Sequence, residues 1–397
     1  MCSSRLRPLV AAAFAFTTYA GTAAAGTFTL LYTFPDANTG SPTGRLYLGD
    51  DILYGTGSGL NSEHGNGQVF QLKKSGDKWK FQTLLAFDGQ NGADPRGGVI
   101  ADQAGTFYGT TEIGGANGSG TVFKLWNAGG RWKSTTLQNF VWDDAGGADP
   151  DTDLVFDQSG ALVGTTVVGG ENQGGTVFSL VPRGRRWKEK VLHRFDSNYD
   201  GYEPASGLLL ASDGAFYGTT YHGGMYDYGT VYQLARSGSK WTETKIHTFT
   251  AGKDGEYPIN GLVEGADGTL YGTTLFGGSF QYGTVFSLKQ SGGTWTHTVL
   301  HEFGQGDDGQ EPYGGLVRVG DTLYGTVEFG GTTGAGIIFS LTESGGTWTE
   351  NILYNFNGGR DGALPCASLI ADANGNLYGT TFQGGAKDQG TVWEFTP

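Results

Sequence analysis

Cysteine is nearly absent from this chain. Two occur in 397 residues, Cys2 and Cys366, and Cys2 falls inside an N-terminal stretch that reads as an export signal. A processed chain would therefore keep one thiol and no internal disulfide, so its stability must come from packing even in a compartment that permits disulfides. Cys2 does not follow a lipoprotein-type cleavage site, and no lipid anchor is expected. Long apolar runs are missing as well. The run from Leu9 to Phe16 is too short and too rich in alanine for a membrane span. No second run occurs near the C-terminal end, so no membrane anchor is expected there either. Positive charge is scarce, with 25 Lys and Arg against 39 Asp and Glu, a formal charge of −14 and a pI near 4.8. Such a chain has no electrostatic footprint for nucleic acid or anionic lipid. There is no Cys-x-x-Cys pair and no Gly-x-Ser-x-Gly elbow, so neither a standard zinc site nor a hydrolase nucleophile is expected.

Glycine is abundant instead, at 72 residues, without a collagen period and alongside 13% aromatics. That combination points to short strands joined by tight turns rather than to disorder. Residues 1–25 differ: Arg5 and Arg7 precede the apolar run, and small residues lead to Ala23-Ala24-Ala25 before Gly26. The order is that of a cleavable secretory signal, which makes 26–397 the expected domain and the protein secreted, either extracellular or periplasmic. Removing the two arginines would move the formal charge from −14 to −16.

The phrase Tyr-Gly-Thr begins at Tyr54, Tyr108, Tyr217, Tyr271, Tyr324 and Tyr378, with Val163 taking the remaining place, at spacings of 54, 55, 54, 54, 53 and 54 residues. A fixed period over seven copies is the signature of a repeat architecture. Copy five predicts four strands, over Gly261–Glu264, Thr269–Thr274, Gly283–Leu288 and Trp295–Phe303. One such sheet has two faces to bury and must stack on its neighbours. The ends of the chain choose between a solenoid and a ring. The fourth-strand pattern, Trp followed eight residues later by Phe, occurs six times, and the seventh copy stops after its third strand. The missing strand is at the other end, where Thr27 to Phe34 places Phe34 in the Phe position. Only a closed ring has reason for that exchange. The expected fold is an all-β, seven-bladed β-propeller of four-stranded blades, closed by its N-terminal strand.

The repeated pattern is Asp-Gly-x-x-Pro (Asp200 to Pro204, Asp308 to Pro312), Tyr-Gly-Thr-Thr, Gly-Gly, Gly-Thr-Val-Phe and Trp-Thr-Glu-Thr (Trp241 to Thr244). It resembles the GloVer tandem-repeat family of exported bacterial proteins. The resemblance implies export and a propeller-like fold, and very little about activity. Many such proteins carry a C-terminal surface anchor that has no counterpart here, which favours release.

Most repeated residues read as scaffold. The Trp of each fourth strand would cover its sheet and the neighbouring blade. Val163 shows that no activity common to all blades can need the repeated Tyr hydroxyl. His193, His247 and His301 share one repeat position, and blade spacing keeps them from sharing a metal ion. The links between strands two and three, and from strand four to the next blade, are long, variable and expected on one face, which makes that face the candidate binding surface. Aromatic and acidic residues concentrate there in copies four to six: Tyr202, Tyr221, His222, Tyr226, Asp227, Tyr228, Tyr257, Phe276, Tyr282 and Tyr313. Aromatic faces beside carboxylates suit a sugar, whose C–H faces stack while its hydroxyls hydrogen-bond. The alternative is that these rings only pack the loops together. The expected role is a monomeric binding module for extracellular polysaccharide or surface glycan, with no cofactor. A polysaccharide lyase using His222, Tyr228 or Tyr282 and Arg96, or a glycosidase using Asp227, Glu203 and Glu311, is the enzymatic alternative. Asp143, Asp144, Asp149, Asp151 and Asp153 are dense enough to suggest Ca²⁺, although a solvated acidic loop explains them too.

Overall fold

A computed structural model describes residues 26–37, 39–59, 65–76, 78–143, 146–184, 186–196 and 200–397. The expected export signal over 1–25 and Asp144 lie outside the described residues. Seven four-stranded antiparallel sheets form a β-propeller, and a single 3-10 turn, Gly252–Asp254, is the only helical element among the described residues. Blade 5 runs Val263–Glu264, Leu270–Thr274, Thr284–Ser291 and Thr294–Glu302 from the axis outward. The inner strand is shorter than its sequence pattern suggests, and Gly261 and Leu262 precede it on the wall of the central channel. In blade 7 the outermost strand is Thr27–Thr33, paired antiparallel with Thr391–Thr396, as the missing fourth strand requires.

The repeat motif accounts for itself piece by piece. A Cβ at Gly272 of Tyr-Gly-Thr would stand 2.7 Å from Cζ of Phe286, so the aromatic ring of the third strand occupies the space a side chain would take there. The second Thr pairs with the Thr that opens the third strand, as in Thr274 Oγ1 to Thr284 Oγ1 at 2.8 Å. The first Thr reaches the adjoining blade: Thr56 Oγ1 donates to the Gly97 carbonyl at 3.0 Å and Thr110 Oγ1 to the Thr152 carbonyl at 2.9 Å. The outer-strand Trp packs against the repeated Tyr of the preceding blade, Trp187 on Tyr108 and Trp295 on Tyr217. Both are therefore interface residues.

Between blades, the Phe that ends each outer strand meets the third-strand aromatic of the next blade. Phe249 meets Phe286 at 5.3 Å and 70°, and Phe303 meets Phe339 at 5.2 Å and 70°. The contact recurs at all seven interfaces. It includes Phe356 with Trp393, which enters blade 7, and Phe34 with Phe70, which joins blade 7 to blade 1. Both partners are fully buried at nearly every junction.

Phe249→Ala is expected to cost about 3–5 kcal/mol of unfolding free energy, measured by urea denaturation. Leu30→Ser, on the exposed side of the closing strand, is expected to stay within about 0.5 kcal/mol. Equal effects of the two substitutions would show that the interfaces do not depend on this contact.

Candidate functional site

The two variable links of each blade share one face, and short backbone ladders lace them together. Tyr202 bridges His222, Glu256 bridges Phe276 and Ala363 bridges Gln383. The Gly-Gly pair makes this approach possible: a Cβ at Gly223 would sit 2.4 Å from the Cα of Gly201, so only glycine lets the two loops touch.

On this face each blade holds one residue in the left-handed region immediately before a proline: Ser41, Asp94, Asp149, Glu203, Tyr257, Glu311 and Leu364, with φ of 55–58°. Side chains other than glycine rarely adopt this conformation, least of all before proline. A pair of backbone hydrogen bonds imposes it. The Glu203 N–H donates to the Gly174 carbonyl of the preceding blade, and its own carbonyl accepts from Tyr221 N–H in the second strand's exit. The same clamp holds Asp94 between Asn66 and Glu112, and Tyr257 between Tyr228 and Leu275. Two side chains per blade are thereby set side by side around the channel mouth, and the pairs differ from blade to blade: Asp94 with Glu112, Glu203 with Tyr221, Glu311 with Glu328.

Inside this rim lies a cavity of about 610 Å³ on the propeller axis, walled by every blade. Its polar lining includes Arg45, Arg96, Asp151, Asp153, Asn260 and Ser368. The size is that of a small-ligand site.

The sequence-predicted residues divide into three groups. Tyr202, Tyr221, His222, Tyr228, Tyr257 and Phe276 form one connected aromatic cluster between blades 4 and 5. Tyr202 stacks on His222 at 5.1 Å and 17°, Tyr221 and Tyr257 lie 4.9 Å apart, and Tyr257 also meets Tyr228 at 5.7 Å and Phe276 at 6.2 Å. Carboxylates flank it: His222 Nε2 is 3.9 Å from Glu203 Oε2, His222 Nδ1 is 3.8 Å from Asp227 Oδ2, and the Tyr202 hydroxyl donates to Asp227 at 3.3 Å. Tyr226 stands beside this group and is 53% exposed. The other two residues sit apart from the cluster. Tyr282 leans over Gly304 toward blade 6, and Tyr313, like Leu364, packs against the buried pair Cys366 and Phe382 on the channel wall near blade 7. The aromatic and acidic concentration expected across copies four to six is thus centred on the junction of blades 4 and 5.

Across the channel mouth lies a charged group that sequence reasoning found only in part. Arg96 Nε is 3.1 Å from Asp94 Oδ2 and 2.5 Å from Glu112 Oε2. Asp94 and Glu112 were missed because their proximity depends on the pre-proline clamp. Burial raises the Glu112 carboxyl to about 8, against the opposing pull of Arg96 and with the Asp94 and Asp151 carboxylates adding to the rise. The acidic loop suggested for Ca²⁺ is dispersed among separate partners: Asp143 accepts from Gly146 N–H at 2.8 Å, while Asp153 pairs with Arg45 at 3.1 Å and accepts from Gly98 N–H at 2.6 Å.

The pattern described as the Gloeobacter/Verrucomicrobia repeat matches residues 14–211 and 205–397. No curated protein matches the chain. Among solved structures, a protein of Bacteroides uniformis provisionally assigned as a 6-phosphogluconolactonase is similar at 12% identity and a TM-score of 0.53, over 83% of this chain and 89% of that one. PorZ of Porphyromonas gingivalis, a bacterial surface component of the type-IX secretion system, is similar at 15% identity and a TM-score of 0.52, over 88% of this chain and 46% of that one. At such identities the likeness is one of fold alone.

A carboxyl whose folded value lies above its unfolded value holds an extra proton in the folded state, so its contribution is favourable at low pH and is lost as pH rises. For Glu112 that window runs from its ordinary 4.5 to about 8. Glu112→Gln is therefore expected to lose less stability than the parent across this window, measured by urea denaturation at a series of pH values. Parallel profiles would contradict the shift.

Proposed function

We propose that this chain, which belongs to the Gloeobacter/Verrucomicrobia repeat family, is exported and binds an extracellular polysaccharide or surface glycan across the mouth of its central channel. The observation that carries this reading is the connected cluster of Tyr202, Tyr221, His222, Tyr228, Tyr257 and Phe276 with Glu203 and Asp227 at its edge. Rings of this kind offer faces to sugar C–H groups at low entropic cost, and the neighbouring carboxylates accept from sugar hydroxyls. The exposed Tyr226 extends the apolar surface outward, as a polymer running past the mouth would need. Export rests on residues 1–25, whose basic, apolar and small-residue order is that of a secretory signal.

Catalysis on the same face draws less support. A lyase must neutralise a uronate carboxylate, and Arg96 is already engaged by Asp94 and Glu112. A glycosidase would use Glu203 and Asp227, which instead sit on either side of His222.

Retardation of residues 26–397 in gels containing neutral and uronate-containing polysaccharides tests the reading. Tyr257→Ala and Tyr202→Ala are each expected to weaken retention by about tenfold, the loss of one stacked ring. Absence of retention in every polymer would overturn the proposal. Release of oligosaccharides from any of them would replace it with the enzymatic one.

A further inference from the structure

Outside the aromatic girdle, six of the seven blade interfaces carry a second contact. It joins the residue two places before the girdle Phe to the residue two places after the Trp of the next outer strand. Three interfaces fill it with stacked rings: Tyr32 on Phe81, His247 on His297 and Tyr354 on Phe28, with centroids 4.9, 4.2 and 4.1 Å apart. Two others fill it with a histidine and a glutamate, and the aspartate of the following Asp-Gly turn supplies a third corner. These are His193, Asp200 and Glu243 between blades 3 and 4, and His301, Asp308 and Glu350 between blades 5 and 6. In each, one donor atom per residue lies within 4.8 Å of the others.

The two clusters differ in how well their polar atoms are satisfied. Each glutamate has one buried oxygen without a hydrogen bond, Glu243 Oε1 and Glu350 Oε1, and the difference lies at the histidine: His193 Nε2 lies 2.7 Å from Asp200 Oδ2 and is hydrogen-bonded to it. His301 Nε2 is 3.4 Å from Asp308 Oδ2, and both it and Glu350 Oε1 are buried without a hydrogen bond. Asp308 is itself 6% exposed, and its other oxygen is held by Gly304 N–H at 2.8 Å. Buried polar atoms left in this way are costly and call for a partner. One imidazole and two carboxylates suit a first-row transition ion. They are too few oxygens for Ca²⁺.

We propose that His301, Asp308 and Glu350 bind one divalent transition-metal ion of the Zn²⁺ class, which pins blade 5 to blade 6. His193, Asp200 and Glu243 form a weaker copy between blades 3 and 4, where an ion must first displace an existing hydrogen bond. The three ligands come from an outer strand, the crossing loop after it and the outer strand of the next blade. The ion therefore joins elements whose relative position the closed ring already sets. Motif spacing could not reveal the site, because its donors are scattered along the chain.

The test uses metal-free residues 26–397, which contain all seven blades, titrated with Zn²⁺ by calorimetry and with Co²⁺ by visible absorption. Two sites of unequal affinity are expected; Glu350→Gln and His301→Gln should each abolish the tighter one, and Glu243→Gln the weaker. Zn²⁺ should raise the unfolding temperature of the parent by at least about 3 °C. Glu350→Gln should lose most of that gain while unfolding in EDTA no earlier than the parent, since the amide keeps the shape of the carboxyl and brings no charge to bury. Lack of saturable Zn²⁺ binding by the parent would overturn the proposal. So would binding and thermal gain that persist in both Glu350→Gln and His301→Gln. If neither variant folds, loss of only the weaker Co²⁺ site in Glu243→Gln supports the pair of sites, and an unchanged Co²⁺ titration there refutes it.

Discussion

Every junction of this ring turns on the meeting of an outer-strand Phe with the third-strand aromatic of the next blade, edge-to-face at six of them and tilted where Phe356 meets Trp393. The geometry matches the quadrupoles of the two rings and removes both from water. Much of the repeat exists to permit it. The Tyr-Gly-Thr glycine is there because the third-strand ring lies on it, as the 2.7 Å approach at Gly272 shows. Among the described residues there is no disulfide to fall back on, since Cys366 is buried and unpaired. Cohesion therefore depends on repeating this contact without a gap, including the junction that Phe34 makes from the far end of the sequence.

A second constraint converts the scaffold into a surface that can vary. The left-handed residue before each proline is clamped by two backbone hydrogen bonds, one to the previous blade and one to its own. Because the clamp uses only main-chain atoms, the side chain is free to be Asp, Glu, Tyr, Ser or Leu. The channel mouth can thus be aromatic between blades 4 and 5 and charged at Arg96 while the ring beneath keeps one design. Strain of this kind belongs where function is placed, and here it recurs once per blade on the face that carries the variable loops.

The architecture was legible in the sequence because it rests on local, repeated signals: a period, a turn chemistry and a strand missing at one end and present at the other. The aromatic half of the candidate site was legible for a related reason, since variation within a repeat stands out against the copies that lack it. Contacts across blades were harder to foresee. His297 and His301 lie four apart on one strand and alternation would put them on the same face, yet His297 meets His247 of blade 4 while His301 meets Glu350 of blade 6. The bulge between Val299 and His301 turns the strand over between them. Strand alternation carries no sign of a bulge, so the inter-blade pairs, including Glu350 beside Asp308, could not be read from spacing. The pairing of Asp94 with Glu112 was hidden in the same way by the pre-proline clamp.

The closing strand has a consequence for how the molecule comes into being. Thr27 pairs with Thr396, so the first residues of the domain to leave the ribosome wait for nearly the last. Until then one blade lacks an edge and the ring is an open arc with two unsatisfied ends. Contacts of such sequence separation are slow to form, and an unpaired strand is adhesive in the meantime. Vectorial delivery, whether from a ribosome or through a translocation pore, can complete individual blades early, but it can close the circle only once both ends of the chain are present on the same side.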